Sequence, residues 1–151
     1  MRLAFIAPTD KNRLADFHAK LSDKTIYLRH FAFHPTLSES ELEYFTNLDH
    51  KDREAIIAEL DEQIVAVARF DRVSEDEAEV AFVIQDDFQR LGLGSGMFQV
   101  LREIAVTLGI KYLSAEVLPQ NRAMIRLFEV FGDAIERDTD AGVTSVRVKI
   151  D

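Results

Sequence analysis

The 151-residue sequence contains no cysteine, only three prolines and six glycines, and fewer basic than acidic residues. Without cysteine it can form no disulfide framework, no Cys-ligated zinc site and no thiol nucleophile. No apolar run reaches the roughly 18 residues that a membrane span requires, and residues 1–8 lack the longer apolar stretch of a signal peptide. We therefore expect a protein of the reducing cytoplasm.

The acidic balance narrows the range of partners. The 18 Lys and Arg residues are outnumbered by 27 Asp and Glu residues, for a formal net charge of −9. Nucleic acids and anionic membrane surfaces both need a basic face, so we expect no nucleic acid and no membrane as a partner. A hydrophobic fraction of 47% excludes a disordered chain, and the length fits a single domain over residues 1–151.

The charge is unevenly distributed along the chain. Residues 38–87 hold 16 acidic and 4 basic residues, a balance of −12, whereas residues 88–126 hold 2 acidic and 5 basic residues, a balance of +3. One interpretation is a solvated acidic surface with chance variation. The other is a molecule with one end that attracts a cation and another that accepts an anion.

Apolar periodicity and turn residues predict a mixed α/β domain. Strands are predicted at residues 2–7, 55–59, 64–70, 78–84, 112–118, 134–137 and 143–150. Helices are predicted at residues 12–21, 38–45, where Ser38 and Glu41 form a capping box, and 122–131, followed by Gly132. Another helix, which ends at Gly109, carries an apolar stripe of Met97, Val100, Leu101, Ile104, Ala105 and Leu108. The order βααβββαβαββ implies an antiparallel meander, with a tight turn at Asp61-Glu62, and then a helical crossover to a parallel strand.

The most informative segment is a glycine-rich stretch between the strand at 78–84 and the strongest helix. It consists of Gln89, Arg90, Leu91, Gly92, Leu93, Gly94, Ser95 and Gly96. Glycines let the backbone approach a ligand, and the free N–H groups of the following helical turn attract an anion, beside which Arg90 adds a positive charge. The stretch lacks the Gly-Lys-Ser/Thr of a Walker loop and the third glycine of a Rossmann loop. On glycines alone, a turn without a ligand remains an alternative.

This segment and the element order resemble the GCN5-related N-acetyltransferase (GNAT) superfamily. Gln89, Gly92 and Gly94 match its Gln/Arg-x-x-Gly-x-Gly/Ala signature for the pyrophosphate of acetyl-CoA, and Asn121 matches an Asn that opens the next helix. The resemblance implies acetyl-CoA as co-substrate and a separation of two strands that exposes backbone groups to the pantetheine arm. In this chain the resemblance assigns those groups to Phe82, Val83 and Ile84, with an N–H around Val83 polarising the thioester carbonyl.

A narrower resemblance is to the acetyltransferase module of bacterial Pat-type protein lysine acetyltransferases. It rests on Tyr27-Leu28-Arg29-His30-Phe31-Ala32-Phe33, Leu37-Ser38-Glu39, Thr46-Asn47-Leu48-Asp49-His50 and Ala78-Glu79-Val80-Ala81-Phe82. Enzymes of this type acetylate a lysine of acyl-CoA synthetases, so the resemblance implies a lysine-bearing protein as acceptor. Their module is often joined to a cyclic-nucleotide-binding or synthetase-like domain, which we do not expect within 151 residues.

Glu79 is the candidate general base. A lysine amine has a pKa of about 10.4 and must lose a proton before it can attack a thioester. The resemblance places Glu79 at the position of the catalytic glutamate of the protein-acetylating branches, three residues before Phe82. Burial beside Phe82 and other acids would raise its pKa. An exposed strand charge is the alternative, because residues 75–77 are also acidic. In the absence of cysteine, we expect direct transfer of the acetyl group.

Other candidate groups lead to weaker expectations. Many GNAT enzymes place a Tyr in the last helix to protonate the departing thiolate, but Phe128 stands there, so we predict a core role for it and water or no group as the acid. His30 and His34 have helical spacing but aromatic and proline neighbours, and we expect no metal site. His50 next to Asp49 is expected to form a surface pair or, alternatively, to be a second base.

Three functions therefore compete. The first is acetyl transfer from acetyl-CoA to a protein lysine, in which Asp49, Asp52 and residues 75–79 rim the acceptor site and attract the target. The second is the same reaction on a small amine, such as a polyamine or an amino sugar. The third is a non-catalytic acyl-CoA-binding regulatory module. The resemblance also allows a homodimer.

Overall fold

The computed structural model describes residues 1–131 and 135–151, with the backbone alone at residues 135–138. The strands are β1 (Arg2–Phe5), β2 (Arg53–Leu60), β3 (Gln63–Arg72), β4 (Glu77–Ile84), β5 (Tyr112–Val117), β6 (Ile135–Asp140) and β7 (Val143–Lys149). The helices are α1 (Lys11–Ala19), α2 (Asp23–His30), α3 (Glu39–Thr46), α4 (Leu93–Thr107) and α5 (Arg122–Phe131). The predicted glycine stop at Gly132 and the predicted strand start at Ala134 lie outside the described residues.

The sheet confirms the predicted mixed arrangement. Its strand order is β1-β2-β3-β4-β5-β7-β6, and each neighbouring pair is antiparallel except β4 and β5. Asp61 and Glu62 have φ angles of 52° and 64°, which suit a two-residue hairpin turn between twisted strands. Because α4 crosses over between β4 and β5, these two strands run parallel, as the element order predicts.

Two helices have the N-terminal cap or the buried apolar face that the sequence predicts. The Ser38 hydroxyl accepts a hydrogen bond from the Glu41 N–H at 3.1 Å, and the Glu41 carboxylate accepts one from the Ser38 N–H at 2.9 Å, so the capping box opens α3. In α4, Met97, Leu101 and Ala105 are fully buried, which turns the apolar stripe toward the sheet. None of the helices in the described part of the chain combines the length and apolar character needed to cross a membrane.

Helix α2 is the element that sequence analysis misses, and it changes the order to βαααβββαβαββ. The Ser22 hydroxyl caps it by accepting a hydrogen bond from the Thr25 N–H at 3.1 Å, and it ends at Phe31, which has a left-handed φ of 60°. Only Thr25 and Ile26 are buried, so the helix carries no apolar stripe that a periodicity argument can detect. The local signal for its start is the Ser22-Asp23 pair, a capping residue followed by an acid.

The core occupies both faces of the sheet. On one face, Leu14 of α1 and Ile26 of α2 belong to a cluster with Ile57 and Val67 of the sheet. On the other face, α4 and α5 bury a second cluster that includes Phe98 and Phe128. Side chains alternate along a strand. Strand β4 therefore turns its even-numbered residues toward α4 and α5, and its odd-numbered residues, 79, 81 and 83, toward α1, α2 and α3.

Candidate active site

Strands β4 and β5 pair over only part of their length. Their parallel ladder contains Glu77↔Tyr112, Ala78↔Leu113 and Glu79↔Ser114, whereas β4 stays paired with β3 as far as Ile84. Beyond Glu79 the two parallel strands therefore separate. We call the gap between residues 80–84 of β4 and residues 115–117 of β5 the cleft. Unpaired backbone groups at such a separation are available to an extended ligand.

The register of β4 decides which of its backbone groups face the cleft. The Gln85 N–H donates to the Val65 carbonyl at 2.9 Å, so odd-numbered residues of β4 pair with β3. By the alternation of an antiparallel ladder, Phe82 and Ile84 direct their N–H and C=O groups away from β3 and toward the cleft, and Val83 does not. Of these groups, the Ile84 C=O is already paired with the Gln89 side chain. The geometry thus moves the expected oxyanion donor from Val83 to its neighbour Phe82, and leaves Val83 as a side chain on the α1–α3 face.

The glycine-rich stretch lies at the carboxyl end of β4, at the start of α4. Gly92 is the N-cap of α4 with a φ of 81°, and no side chain caps the helix there. The N–H groups of Leu93, Gly94 and Ser95 in the first helical turn are therefore left for an external acceptor. Arg90 beside them is exposed and has a positive φ of 64°. This arrangement suits an anion such as a pyrophosphate.

Gly94 lies at the point where α4 packs against its neighbours, with room for an ordinary van der Waals contact. A Cβ atom at this position would lie 3.4 Å from Ile84 Cδ1 and 3.6 Å from Leu127 Cδ1. The start of α4 therefore sits against both the end of β4 and helix α5. At Gly92 and Gly96 a Cβ atom would meet nothing within 4 Å, so only the backbone angle distinguishes these two glycines.

Gln89 fixes the loop rather than facing the helix start. Its Nε2 donates to the Ile84 carbonyl at 2.8 Å and to the Thr25 hydroxyl at 3.1 Å. Asp86, in the same loop, accepts from the Ser22 hydroxyl at 2.7 Å and from the Thr25 hydroxyl at 3.0 Å. The beginning of α2 is thus fastened to the loop that precedes α4. Sequence analysis assigned no role to Ser22, Thr25 or Asp86, because the contacts span more than 60 residues.

Asn121 stands at the end of the other parallel strand. Its Oδ1 accepts a hydrogen bond from the Met124 N–H at 3.3 Å, which caps α5 as predicted. Because β4 and β5 are parallel, their carboxyl ends meet at one edge of the sheet. The structure therefore brings Asn121 and the glycine-rich stretch together at the mouth of the cleft.

Glu79 stands where the cleft begins. It belongs to the last paired position of β4 and β5, and within the described residues its carboxylate makes no hydrogen bond or ion pair. Its side chain is exposed to solvent and only partly buried. Partial burial, and then the charges of Glu116 and Asp71, raise the pKa of Glu79 above its usual range, against the opposing charge of Arg29. A free carboxylate with a raised pKa is suited to accept a proton.

Three of the other acids expected to rim the acceptor site are engaged in structural contacts. Asp49 accepts N–H bonds from Lys51, Asp52 and Arg53 and so closes a turn. Asp52 lies 3.1 Å from Arg72 Nε, and Glu77 lies 2.6 Å from Arg147 Nε. Of the acids expected to rim the acceptor site, Glu75 and Glu79 have carboxylates with no hydrogen bond or ion pair among the described residues, and Glu79 is the one that lies in β4 where the cleft begins.

Comparison with known protein families matches residues 21–133 to the acetyltransferase (GNAT) family. The chain belongs to this family. The predicted membership in the GNAT family is therefore confirmed, as is the predicted fold. The observed separation of β4 and β5 is the feature that the family resemblance led us to expect.

The resemblance to Pat-type enzymes is also confirmed. Over an alignment of 153 residues, the chain is 30% identical to the acetyltransferase Pat of Mycolicibacterium smegmatis. The alignment covers 96% of this chain and 44% of that protein. The chain therefore spans less than half the length of this curated relative. The crystal structure of the GNAT domain of Pat from S. lividans superimposes with a TM-score of 0.92 at 34% identity, covering 98% of this chain and 89% of that one. An acetyltransferase from Salmonella typhimurium, solved with acetyl-CoA, shares the fold at 16% identity, with a TM-score of 0.77 and coverage of 99% and 94%.

The histidines of this GNAT chain have structural contacts. The His18 ring lies 5.5 Å from that of His30 and 5.9 Å from that of His34, and His18 Nε2 donates to the His34 carbonyl at 2.6 Å. His50 differs from the expectation, because its Nδ1 contacts Glu54 at 2.9 Å rather than Asp49. Over residues 1–131 and 139–151, whose side chains the structure describes, no group of three or more His, Asp or Glu residues has a geometry that could hold a metal ion.

The two open glycines of the α4 start provide a matched test of the loop. We expect Gly92→Ala to lower the free energy of unfolding by about 1–2 kcal/mol, because alanine is strained at a left-handed φ. Gly96→Ala should instead raise it by about 0.5–1 kcal/mol, because alanine favours the helix. Urea unfolding measures both values. Equal stabilities of the two variants would contradict the assigned backbone role of Gly92.

Proposed function

We propose that this chain transfers the acetyl group of acetyl-CoA directly to the ε-amine of a lysine in a protein, with Glu79 as the general base. The proposal covers one N-acetyltransferase domain over residues 1–151. The observation that carries it is the position of Glu79: an unpaired carboxylate with a raised pKa at the residue where β4 and β5 separate.

The cofactor would lie along the cleft with its pyrophosphate at the start of α4. The N–H groups of residues 93–95, the flexible backbone of Gly92, Gly94 and Gly96, and the charge of Arg90 would receive the phosphates. The pantetheine arm would follow the unpaired edge of β4, and Leu91 and Asn121 would flank it at the mouth. Gln89 would act indirectly by holding Ile84 and α2 in place.

The reaction needs a neutral amine, a polarised thioester and a leaving thiolate. Glu79 would accept one proton from the lysine ammonium, directly or through a water molecule, because the reference pKa of that amine is about 10.4. The nitrogen then forms a bond to the thioester carbon, and the Phe82 N–H stabilises the oxyanion. Collapse breaks the C–S bond, the new amide nitrogen loses its second proton to solvent water, and the thiolate takes a proton from water. Since the chain lacks cysteine, the acetyl group is not carried on an enzyme thiol.

The burial of Phe128 supports the assignment of water as the donor of the last proton. The family resemblance puts a Tyr at this position in many relatives, but here the ring is fully buried beside Phe98, at 5.6 Å between centroids. A buried phenyl ring has no proton to donate, which supports the proposal that solvent supplies it.

Two observations favour a protein lysine over a small amine as acceptor. The first is the similarity to the Pat proteins over almost the whole of this chain. The second is the balance of −12 over residues 38–87, which includes Glu79 and would attract a cationic lysine-bearing surface. Acyl-CoA synthetases are the acceptor proteins that the Pat resemblance suggests.

A direct competition of acceptors tests the proposal. Purified protein with acetyl-CoA should acetylate a lysine of acyl-CoA synthetases and of lysine peptides, and it should act poorly on polyamines and amino sugars. Mass spectrometry detects the acetylated products. Because the chain has no thiol of its own, released CoA can be measured with a thiol reagent without background. If the protein acetylates small amines alone, the acceptor is a small amine and not a protein lysine. Calorimetric binding of CoA without any transfer would instead favour a regulatory module.

A further inference from the structure

A cavity of about 40 Å³ lies between the sheet and helices α1, α2 and α3. Its walls are mostly apolar, with Ala81 and Val83 of β4 on the sheet side and Phe45 of α3 opposite. Two arginines also line it: Arg29 from α2 and Arg69 from β3. The reaction proposed above assigns neither arginine a role.

Arg69 is a buried cation with few partners. It is 7% exposed, and its Nη1 donates one hydrogen bond, to the Phe45 carbonyl at 3.3 Å. Its guanidinium lies 4.6 Å from the centre of the Phe45 ring. No carboxylate among the described residues lies within ion-pair distance of it. Burial, and then the charge of Arg29, lower the pKa of Arg69 to about 9, so it remains protonated at neutral pH.

Arg29 adds a second positive charge to the same cavity. Within the described part of the chain it makes no hydrogen bond and no ion pair. The neighbouring His30 does not add to this charge at neutral pH, because burial and the nearby cations lower its pKa to about 4. Two guanidinium groups that share a buried site, with no carboxylate at ion-pair distance, are unfavourable unless an anion completes the site.

The carboxylates on the same face offset this charge only from a distance: Asp71 acts on both arginines and Glu79 acts on Arg29, but neither forms an ion pair with them among the described residues. In the β3–β4 ladder, Arg69 stands opposite Ala81, and Asp71 stands opposite Glu79. Asp71 is paired with Arg53 at 3.0 Å, and Glu79 is the free carboxylate at the start of the cleft. Arg69 and Glu79 are diagonal neighbours on one face of the sheet, about 7–8 Å apart between their backbones.

This spacing places a cationic cavity beside the base that would deprotonate the acceptor. We infer that the cavity is a carboxylate subsite, in which Arg29 and Arg69 bind a carboxylate that the acceptor carries close to its reacting amine. The inference rests on the proposed function, because it uses Glu79 to locate the amine. The carboxylate has two sources: an acidic side chain near the target lysine, or the α-carboxylate of a free amino acid.

Matched acceptors test the subsite and separate the two sources. One arm uses lysine peptides in which a single Glu is moved from two residues before to two residues after the lysine, each paired with a peptide carrying Gln there. The other arm uses free amino acids paired with their carboxamides. In one of the two arms we expect kcat/KM to be about 10- to 100-fold higher for the carboxylate form, as for a hydrogen bond between charged groups.

Variants of the two arginines assign the preference to the cavity. Arg29→Gln and Arg69→Met, which keeps much of the buried side-chain volume, should reduce the preference to near one-fold, whereas Arg2→Gln on the exposed edge strand β1 should keep it. Peptide acetylation without any carboxylate preference in either arm would overturn the subsite but not the proposed function. A preference that both arginine variants retain would also overturn it.

A binding measurement tests the carboxylate subsite even if no amine is acetylated. The Nε–Hε NMR signals of Arg29 and Arg69 should shift when glutarate is titrated into the protein, and the Arg2 signal should not. Unchanged signals for both cavity arginines would overturn the subsite. Failure of acetyl transfer with intact CoA binding would bear on the proposed function alone.

Discussion

Replacing Glu79 with glutamine should lower kcat for acetyl transfer about 10²- to 10⁴-fold, the usual contribution of a general base. Glutamine keeps the size of the side chain but cannot accept the lysine proton. Affinity for acetyl-CoA should remain, since Glu79 lies on the opposite face of β4 from α4 and α5. Stopped-time assays of CoA release give kcat, and calorimetry gives the affinity for acetyl-CoA.

The pH dependence of kcat/KM provides a second test of Glu79 as the base. Glu79 is active as the deprotonated carboxylate, and partial burial with neighbouring acids raises its pKa. The acid limb of kcat/KM should therefore lie above the ordinary range of a glutamate and should disappear in Glu79→Gln. Glu116→Gln removes a like charge that raises this pKa, so the limb should move to lower pH.

A nearby acid outside the cleft is the control for this prediction. Glu75 is exposed in the loop before β4, and Glu75→Gln should leave both kcat and the acid limb unchanged. Retained kcat in Glu79→Gln, or an acid limb that persists in it, would refute the assignment of the base.

Phe128→Ala should lower the free energy of unfolding by about 3–5 kcal/mol, as deletion of a large buried ring does. Phe128 is fully buried, and its ring meets Phe98 edge-on at 5.6 Å. Phe98 in turn stacks on Phe82 of β4 at 5.6 Å and on Phe131 at 4.9 Å. Removal of the ring would leave a cavity beneath the strand that borders the cleft. Urea unfolding monitored by circular dichroism measures the change.

Two variants of the same helix separate packing from chemistry. Val130→Ala removes an apolar side chain that is 65% exposed and should change stability by less than about 0.5 kcal/mol. Phe128→Tyr places a hydroxyl in an apolar interior, so we expect lower stability and no gain in kcat. A rise in kcat in Phe128→Tyr would show instead that this position can supply the acid of the reaction.

The elements that sequence reasoning predicts well are those with strong local signals. The apolar stripe of α4, the capping box at Ser38 and Glu41, and the cap of α5 at Asn121 each follow from residues within a few positions of one another. The same reasoning does not predict helix α2, because the N-terminal turn of this helix is held by hydrogen bonds with Asp86 and Gln89. Its stability depends on distant residues, which a periodicity argument does not include.

The sequence by itself determined the family of this protein, the order of its strands around the glycine-rich stretch, and Glu79 as the candidate base. The strand order depends on local spacing of glycines, apolar residues and capping groups, whereas the family and Glu79 were assigned by the resemblance of short segments to the GNAT superfamily and its protein-acetylating branches. The tertiary structure alone decided that β4 and β5 separate directly after Glu79, that Phe82 rather than Val83 faces the cleft, and that Arg29 and Arg69 share a cavity. Strand register and packing of α2 against the sheet set these features, and both arise from contacts between residues that are far apart in the chain.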